Sequence, residues 1–201
     1  MKGSLYGKMP GTPEQKRAGV RMFWAYMLAH PGKKLLFMGA ELGQEAEWDF
    51  AGELRWKEAN TPENLALTGF FRDANRFYLD SPELWELDFD PAGFLWLAPD
   101  ESERNIVAFL RMDEAGDRLC CAFNFSGVKS EGFRLGLPEK GEYRVCFSSD
   151  PGWRVGKRLR TQPIEAHGQA QSALLELPPL SAVFFRKLKR SDQKKGEKNK
   201  P

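Results

Sequence analysis

The chain has few side chains of the kind that bind soft metals or build redox centres: 201 residues include two histidines and three cysteines. His30 and His167 stand far apart, without a cysteine or carboxylate at ligand spacing, and Cys120, Cys121 and Cys146 form no C-x-x-C pair. Neither a structural metal nor a disulfide framework is expected. Cys120 and Cys121 are adjacent in an apolar run, where neighbouring strand side chains point to opposite faces, so both read as reduced core thiols. No apolar run approaches the roughly 18 residues that span a bilayer. The start, Met1-Lys2-Gly3-Ser4-Leu5, lacks the apolar centre of a signal peptide. A soluble, cytoplasmic chain with no membrane partner is expected. Phosphate-cradling, dinucleotide-binding and serine-nucleophile motifs are also missing, so nucleotide, nicotinamide and serine-hydrolase chemistry have no foothold and no cofactor is expected.

What is present describes a folding chain: 41% hydrophobic, 29% charged and 12% aromatic residues, enough for one large or two small domains. The formal charge of +2 is unevenly distributed. Residues 187–201 carry seven Lys/Arg against two Asp/Glu, a local +5, which leaves a mildly acidic body. That stretch has one leucine and no aromatic residue, so it cannot bury enough apolar surface to offset its ordering entropy and reads as a disordered basic tail. Nucleic acid is not expected as its partner, because no aromatic platform accompanies the charge.

Two regions differ in period. Residues 12–87 carry helical signals, and residues 89–186 carry short apolar runs separated by turn residues. Thr12 caps a first helix, with Pro13 at its first position and Gln15 placed for a capping box; His30-Pro31-Gly32 stops it. Leu35-Leu36-Phe37-Met38 then forms a continuous apolar run of strand length, as in a strand buried on both faces of a parallel sheet. Thr61-Pro62-Glu63 opens a second helix whose Leu67, Phe70, Phe71, Ala74, Phe77 and Tyr78 draw one apolar stripe. A single strand between two helices closes no domain, since a parallel strand needs neighbours. From there on, seven strands are expected at 94–97, 106–110, 118–125, 133–137, 143–147, 173–177 and 182–185, an antiparallel sandwich.

The segment from Gly39 to Phe50 follows the apolar run directly. Loops at the carboxyl ends of parallel strands line ligand sites. Glu41, Gln44, Glu47, Trp48 and Trp56 combine hydrogen-bonding groups with flat apolar faces, which suits a sugar ring. The same residues also read as core anchors (Trp48, Trp56) and solvated acids, and spacing alone leaves both readings open.

The order of residues is familiar beyond single motifs. M-P-G-T-P-E-Q-K at 9–16, A-H-P-G-K-K-L-L-F-M-G-A-E-L-G-Q at 29–44, L-D-F-D-P-A-G-F-L-W-L at 87–97, N-I-V-A-F-L-R at 105–111 and L-P-P-L-S-A-V-F-F at 177–185 resemble the C-terminal part of bacterial 1,4-α-glucan (glycogen) branching enzymes of the α-amylase superfamily. The resemblance runs over about residues 2–186.

It implies an α+β chain: residues 1–87 as the last β/α units of a (β/α)8 barrel, with 33–39 as its eighth strand, residues 88–186 as an all-β antiparallel C-terminal sandwich, and 187–201 as the basic tail. The activity implied is a retaining glycosyl transfer that cuts α-1,4 linkages and forms α-1,6 branches in glycogen biosynthesis. Such chemistry uses a nucleophile and an acid/base carboxylate roughly 5 Å apart. The family's catalytic carboxylates have no counterpart here, so no residue is expected to be catalytic and the chain alone is expected to be inactive. Glu41, Gln44 and Trp48 match the eighth-strand loop and are carried over as contributors to the substrate-cleft wall. The implied partners are α-1,4-glucan (glycogen, amylose) and the remaining N-terminal barrel portion as a separate chain. The alternative is a non-catalytic α-glucan-binding or assembly module.

Overall fold

The computed structural model describes residues 3–153 and 155–189. Most of the basic tail, from residue 190 onward, lies outside the described residues. Of the residues expected in that tail, Lys187 ends the last strand, and buried Leu188 donates its N–H to the Glu142 carbonyl.

After a one-turn helix α1 (Leu5–Lys8), the capping signals act as read. In α2 (Pro13–Ala29) the Thr12 Oγ1 accepts from the Gln15 N–H, and Gln15 Oε1 accepts from the Thr12 N–H, so two end donors are satisfied reciprocally. After the short α3 (Trp56–Ala59), Thr61 caps α4 (Pro62–Leu79) by accepting from the Asn64 N–H, without the reciprocal bond.

Eight strands follow among the described residues: β1 (Phe94–Glu101), β2 (Ile106–Met112), β3 (Arg118–Asn124), β4 (Ser130–Leu137), β5 (Glu142–Ser148), β6 (Arg158–Arg160), β7 (Gln171–Leu177) and β8 (Ser181–Lys187). They build a six-stranded sheet in the order β1-β2-β3-β8-β5-β6 and a two-stranded sheet β4-β7, antiparallel throughout. The seven expected strands are all there. β6 is the addition, a three-residue strip pairing Leu159 with Tyr143.

The large sheet is apolar on both faces. On its inner side Cys120, Val183 and Phe185 join Phe133, Leu135 and Leu175 of the small sheet. On its outer side Cys121, Phe123 and Phe184 meet Val20, Trp24 and Leu28 of α2 and Leu67 and Phe71 of α4. Cys120 and Cys121 thus point to opposite cores, and burial raises both thiol pKa values, leaving them inert. The α4 stripe covers this outer face. Phe77 lies 4.9 Å from Phe147, and Trp24 lies 5.3 Å from Phe71.

The run 35–38 does not become a strand. No strand lies beside it among the described residues, and Leu35, Phe37 and Met38 are more than half exposed. A parallel strand is stabilised by its neighbours, and none is present among the described residues.

Fully buried Arg111 ties the two regions together. Its guanidinium donates to the carbonyls of Ala29, Leu84 and Gly93 and to Asp88 Oδ1 at 2.9 Å. Asp88 Oδ2 accepts from the Gly32 N–H, and Lys34 Nζ lies 3.7 Å from Asp88 while donating to the His30 carbonyl. A second tie joins Arg186 of β8 to buried Glu83 through two hydrogen bonds of 2.6 and 2.9 Å. Removing one partner of a buried pair leaves the other uncompensated. Arg111→Met is expected to lower unfolding free energy by about 3–5 kcal/mol, read by urea denaturation.

Two cations share one carboxylate in this cluster. Burial, followed by the Arg111 charge, lowers the Lys34 pKa to about 8 from 10.5, against the opposing pull of Asp88. The folded chain therefore releases a proton near pH 8 that the unfolded chain holds to about 10.5. Lys34 makes stability rise with pH across that window. The stability of Lys34→Met relative to the parent is expected to be most favourable below pH 8 and to decline toward pH 10.5, measured by denaturation at each pH.

Candidate functional site

The stretch 33–37 leads the chain into a tight turn. Gln44 and Leu42 both donate backbone N–H to the Gly39 carbonyl, and Gly43 donates to Ala40. Gly39 (φ +80°) and Gly43 (φ +66°) occupy the left-handed region that favours glycine. At Gly43 a Cβ would also stand 2.7 Å from Asn64 Oδ1, so α4 packs directly on the turn.

The three expected site residues separate in role. Gln44 is buried and turned inward: its Nε2 donates to the Ala46 carbonyl, and its Oε1 accepts from the Arg55 N–H. Both ends of its amide hold the loop. Glu41 is half-buried; its carbonyl accepts from Thr68 Oγ1, while its carboxylate Oε2 is buried without a hydrogen-bond partner among the described residues. Trp48 is 37% exposed, with its ring near-perpendicular to Phe37 at 5.5 Å. Trp56, at the start of α3, is 55% exposed. What the segment exposes is apolar: Phe37 and Trp48 in contact, with Leu35, Met38 and Phe50 also exposed along residues 35–50. The apolar run reads as interior in the sequence, and its exposure is a departure from that expectation.

Two other features lie elsewhere. An aromatic strip runs over the helix-facing side of β1–β3: Trp96 is 42% exposed and lies 5.0 Å from Phe94, His30 is 5.8 Å from Phe94, and Tyr26 is 5.6 Å from Phe125. A cleft of about 720 Å³ opens between Pro82, Asp113, Arg118, Lys140 and Lys187. Its charges are largely engaged in pairs such as Arg118–Glu139, Lys187–Glu139 and Arg186–Glu83. No group of three or more His, Cys, Asp or Glu is placed to hold a metal ion among the described residues, and no helix there is long and apolar enough to cross a membrane.

The family described as "Alpha amylase, C-terminal all-beta domain" matches residues 96–187, which run from β1 to the end of β8. The 1,4-alpha-glucan branching enzyme GlgB of Aromatoleum aromaticum is 44% identical over 190 residues, covering 92% of this chain and 30% of that protein. GlgB of Photobacterium profundum is 43% identical over 190 residues, with 92% and 26% covered. In sequence, the chain corresponds to the C-terminal part of the 1,4-alpha-glucan branching enzymes. It spans about a third or less of the length of these branching enzymes. Among solved structures, a type I pullulanase from Bacillus subtilis complexed with maltose has a TM-score of 0.65 at 14% identity, with 89% of this chain and 24% of that one covered. At that identity the likeness shows the fold.

Gly43→Ala combines a strained φ with a clash against Asn64. It is expected to cost about 1–3 kcal/mol, read as a lowered thermal midpoint, with tryptophan emission shifting as the loop loosens.

Proposed function

We propose that this chain is the C-terminal part of a glycogen branching enzyme, contributing scaffold and substrate-cleft wall to the transfer of α-1,4-glucan chains into α-1,6 branches. The observation that carries the reading is the 44% identity to a branching enzyme over 92% of the chain. In this proposal residues 1–87 are the last β/α units of a (β/α)8 barrel and 88–186 the C-terminal sandwich. The unpaired stretch 33–38 is where strands of a preceding portion pair. Trp48 offers its ring to a glucose face and Glu41 its carboxylate to hydroxyls. Gln44 acts through the loop it holds, because its own amide is occupied.

The catalytic carboxylates belong to the preceding portion, so the chain by itself is a non-catalytic glucan contact. Mixed with amylose, it should leave the iodine spectrum unchanged; branching by this chain alone would sink the proposal.

The alternative, a glucan-binding module, draws support from the aromatic strip around Trp96, whose exposed rings suit C–H stacking. Affinity electrophoresis in glycogen gels separates the contributions. Retardation should fall several-fold in Trp48→Ala if the cleft wall carries binding, and in Trp96→Ala if the sandwich does. Mobility unchanged by glycogen would remove both.

A further inference from the structure

The chain between β6 and β7 doubles back at Ala166 and Gln169, whose two backbone hydrogen bonds, 3.1 and 2.9 Å, close a two-residue turn on His167 and Gly168. Both central residues have positive φ, +49° and +70°, as two-residue hairpin loops of type I′ require. Glycine and asparagine suit such positions with least strain. A histidine here is explained by what its ring holds.

The turn lies against β4, where a Cβ at Gly136 would collide with the Ala166 carbonyl. Gly136 stands opposite Ser172 of β7, whose own N–H and carbonyl both engage Gln162. The pair is therefore a non-hydrogen-bonded one, and the Gly136 N–H points away from β7. His167 Nδ1 accepts it at 3.1 Å. A backbone N–H can only donate, so Nδ1 carries no proton. The neutral ring keeps its proton on Nε2, which donates to Glu101 Oε1 at the end of β1, also at 3.1 Å. The charged groups that face the ring are Glu101 and, behind it, Arg104, whose guanidinium lies 3.8 Å from Glu101 Oε2 and over the ring of Phe133. From β4 the neighbours are Phe133, 5.8 Å away, and Gly136, neither of them titratable. Its own loop carries one further charge, the exposed Glu165.

We propose that His167 is an acid-operated latch between the β6–β7 turn and β4. Neutral, it holds Gly136 and Glu101 at once. When it takes a proton from solvent, both ring nitrogens become donors, so an Nδ1–H faces the Gly136 N–H and that bond is lost. The imidazolium keeps Glu101 through a charge-assisted bond. The ring swings from β4 toward β1, and the Gly136 N–H is released to water. The latch is independent of the glucan reading, since every group in it belongs to the sandwich.

Nuclear magnetic resonance of the ¹⁵N-labelled full chain, titrated from pH 8.5 to pH 5, tests it. At the alkaline end the ring nitrogens should show the Nε2–H form. As His167 titrates, the protection factor of the Gly136 amide should fall at least tenfold along the same curve, while that of Ala122 in β3 stays level. His167→Asn, which suits the same turn, should remove the step, and Glu101→Gln should move it to lower pH. An Nδ1–H form at pH 8.5 would overturn the proposal. So would Gly136 protection that does not follow the His167 curve, or a step that survives His167→Asn or stays in place in Glu101→Gln.

Discussion

The structure depends on one constraint: the central strands of the large sheet are apolar on both faces and must be covered twice. β3 reads Leu119-Cys120-Cys121-Ala122-Phe123, all buried, and β8 reads Ala182-Val183-Phe184-Phe185, also buried. One face is closed by the two-stranded sheet, as in any sandwich. The other is closed by α2 and α4. Cutting the helices away would strip Phe109, Phe123 and Phe184 of their cover, so the helical region belongs to the same folding unit as the sandwich.

That arrangement also explains the placement of the buried charges. Where a helical layer meets a sheet edge, backbone carbonyls at the ends of α2 and of the turn at Pro82–Leu84 are left without helix donors. Arg111 supplies those donors from β2, and Asp88 balances its charge. Arg186, two strands over at the same level of the ladder, donates instead to the carboxylate of Glu83 and to Ser81 Oγ. Burial without such partners would be prohibitive for either guanidinium. Between α2 and α4 the apolar side chains of Leu35, Phe37, Met38, Phe50 and Trp56 are left exposed.

Much of this was legible in the sequence because local physics decides it. Thr12-Pro13 and Thr61-Pro62 start helices wherever they are placed, and the adjacent thiols Cys120 and Cys121 must face opposite ways on any strand. What was not legible depended on neighbours. β6 escaped notice because Leu159 stands alone between Arg158 and Arg160 and owes its strand state to Tyr143 across the ladder. The run 35–38 has every local mark of a buried strand, yet burial needs adjacent strands. The α4 stripe is legible in the sequence, but the rings it packs on, Phe147 and Phe184, lie on distant strands that no local pattern connects to it. At the candidate site, Gln44 offers a hydrogen-bonding amide by residue type, but that amide serves the backbone of Ala46 and Arg55. Spacing shows which groups are available, not which are already engaged.

Native-state hydrogen exchange tests most directly whether the helices and the sandwich are one cooperative unit. The slowest amides of α2 and α4 should share the opening free energy of those in β3 and β8, and all should fall together in Arg111→Met. Helical amides exchanging orders of magnitude faster than the central strands, with the strands undisturbed, would contradict the account.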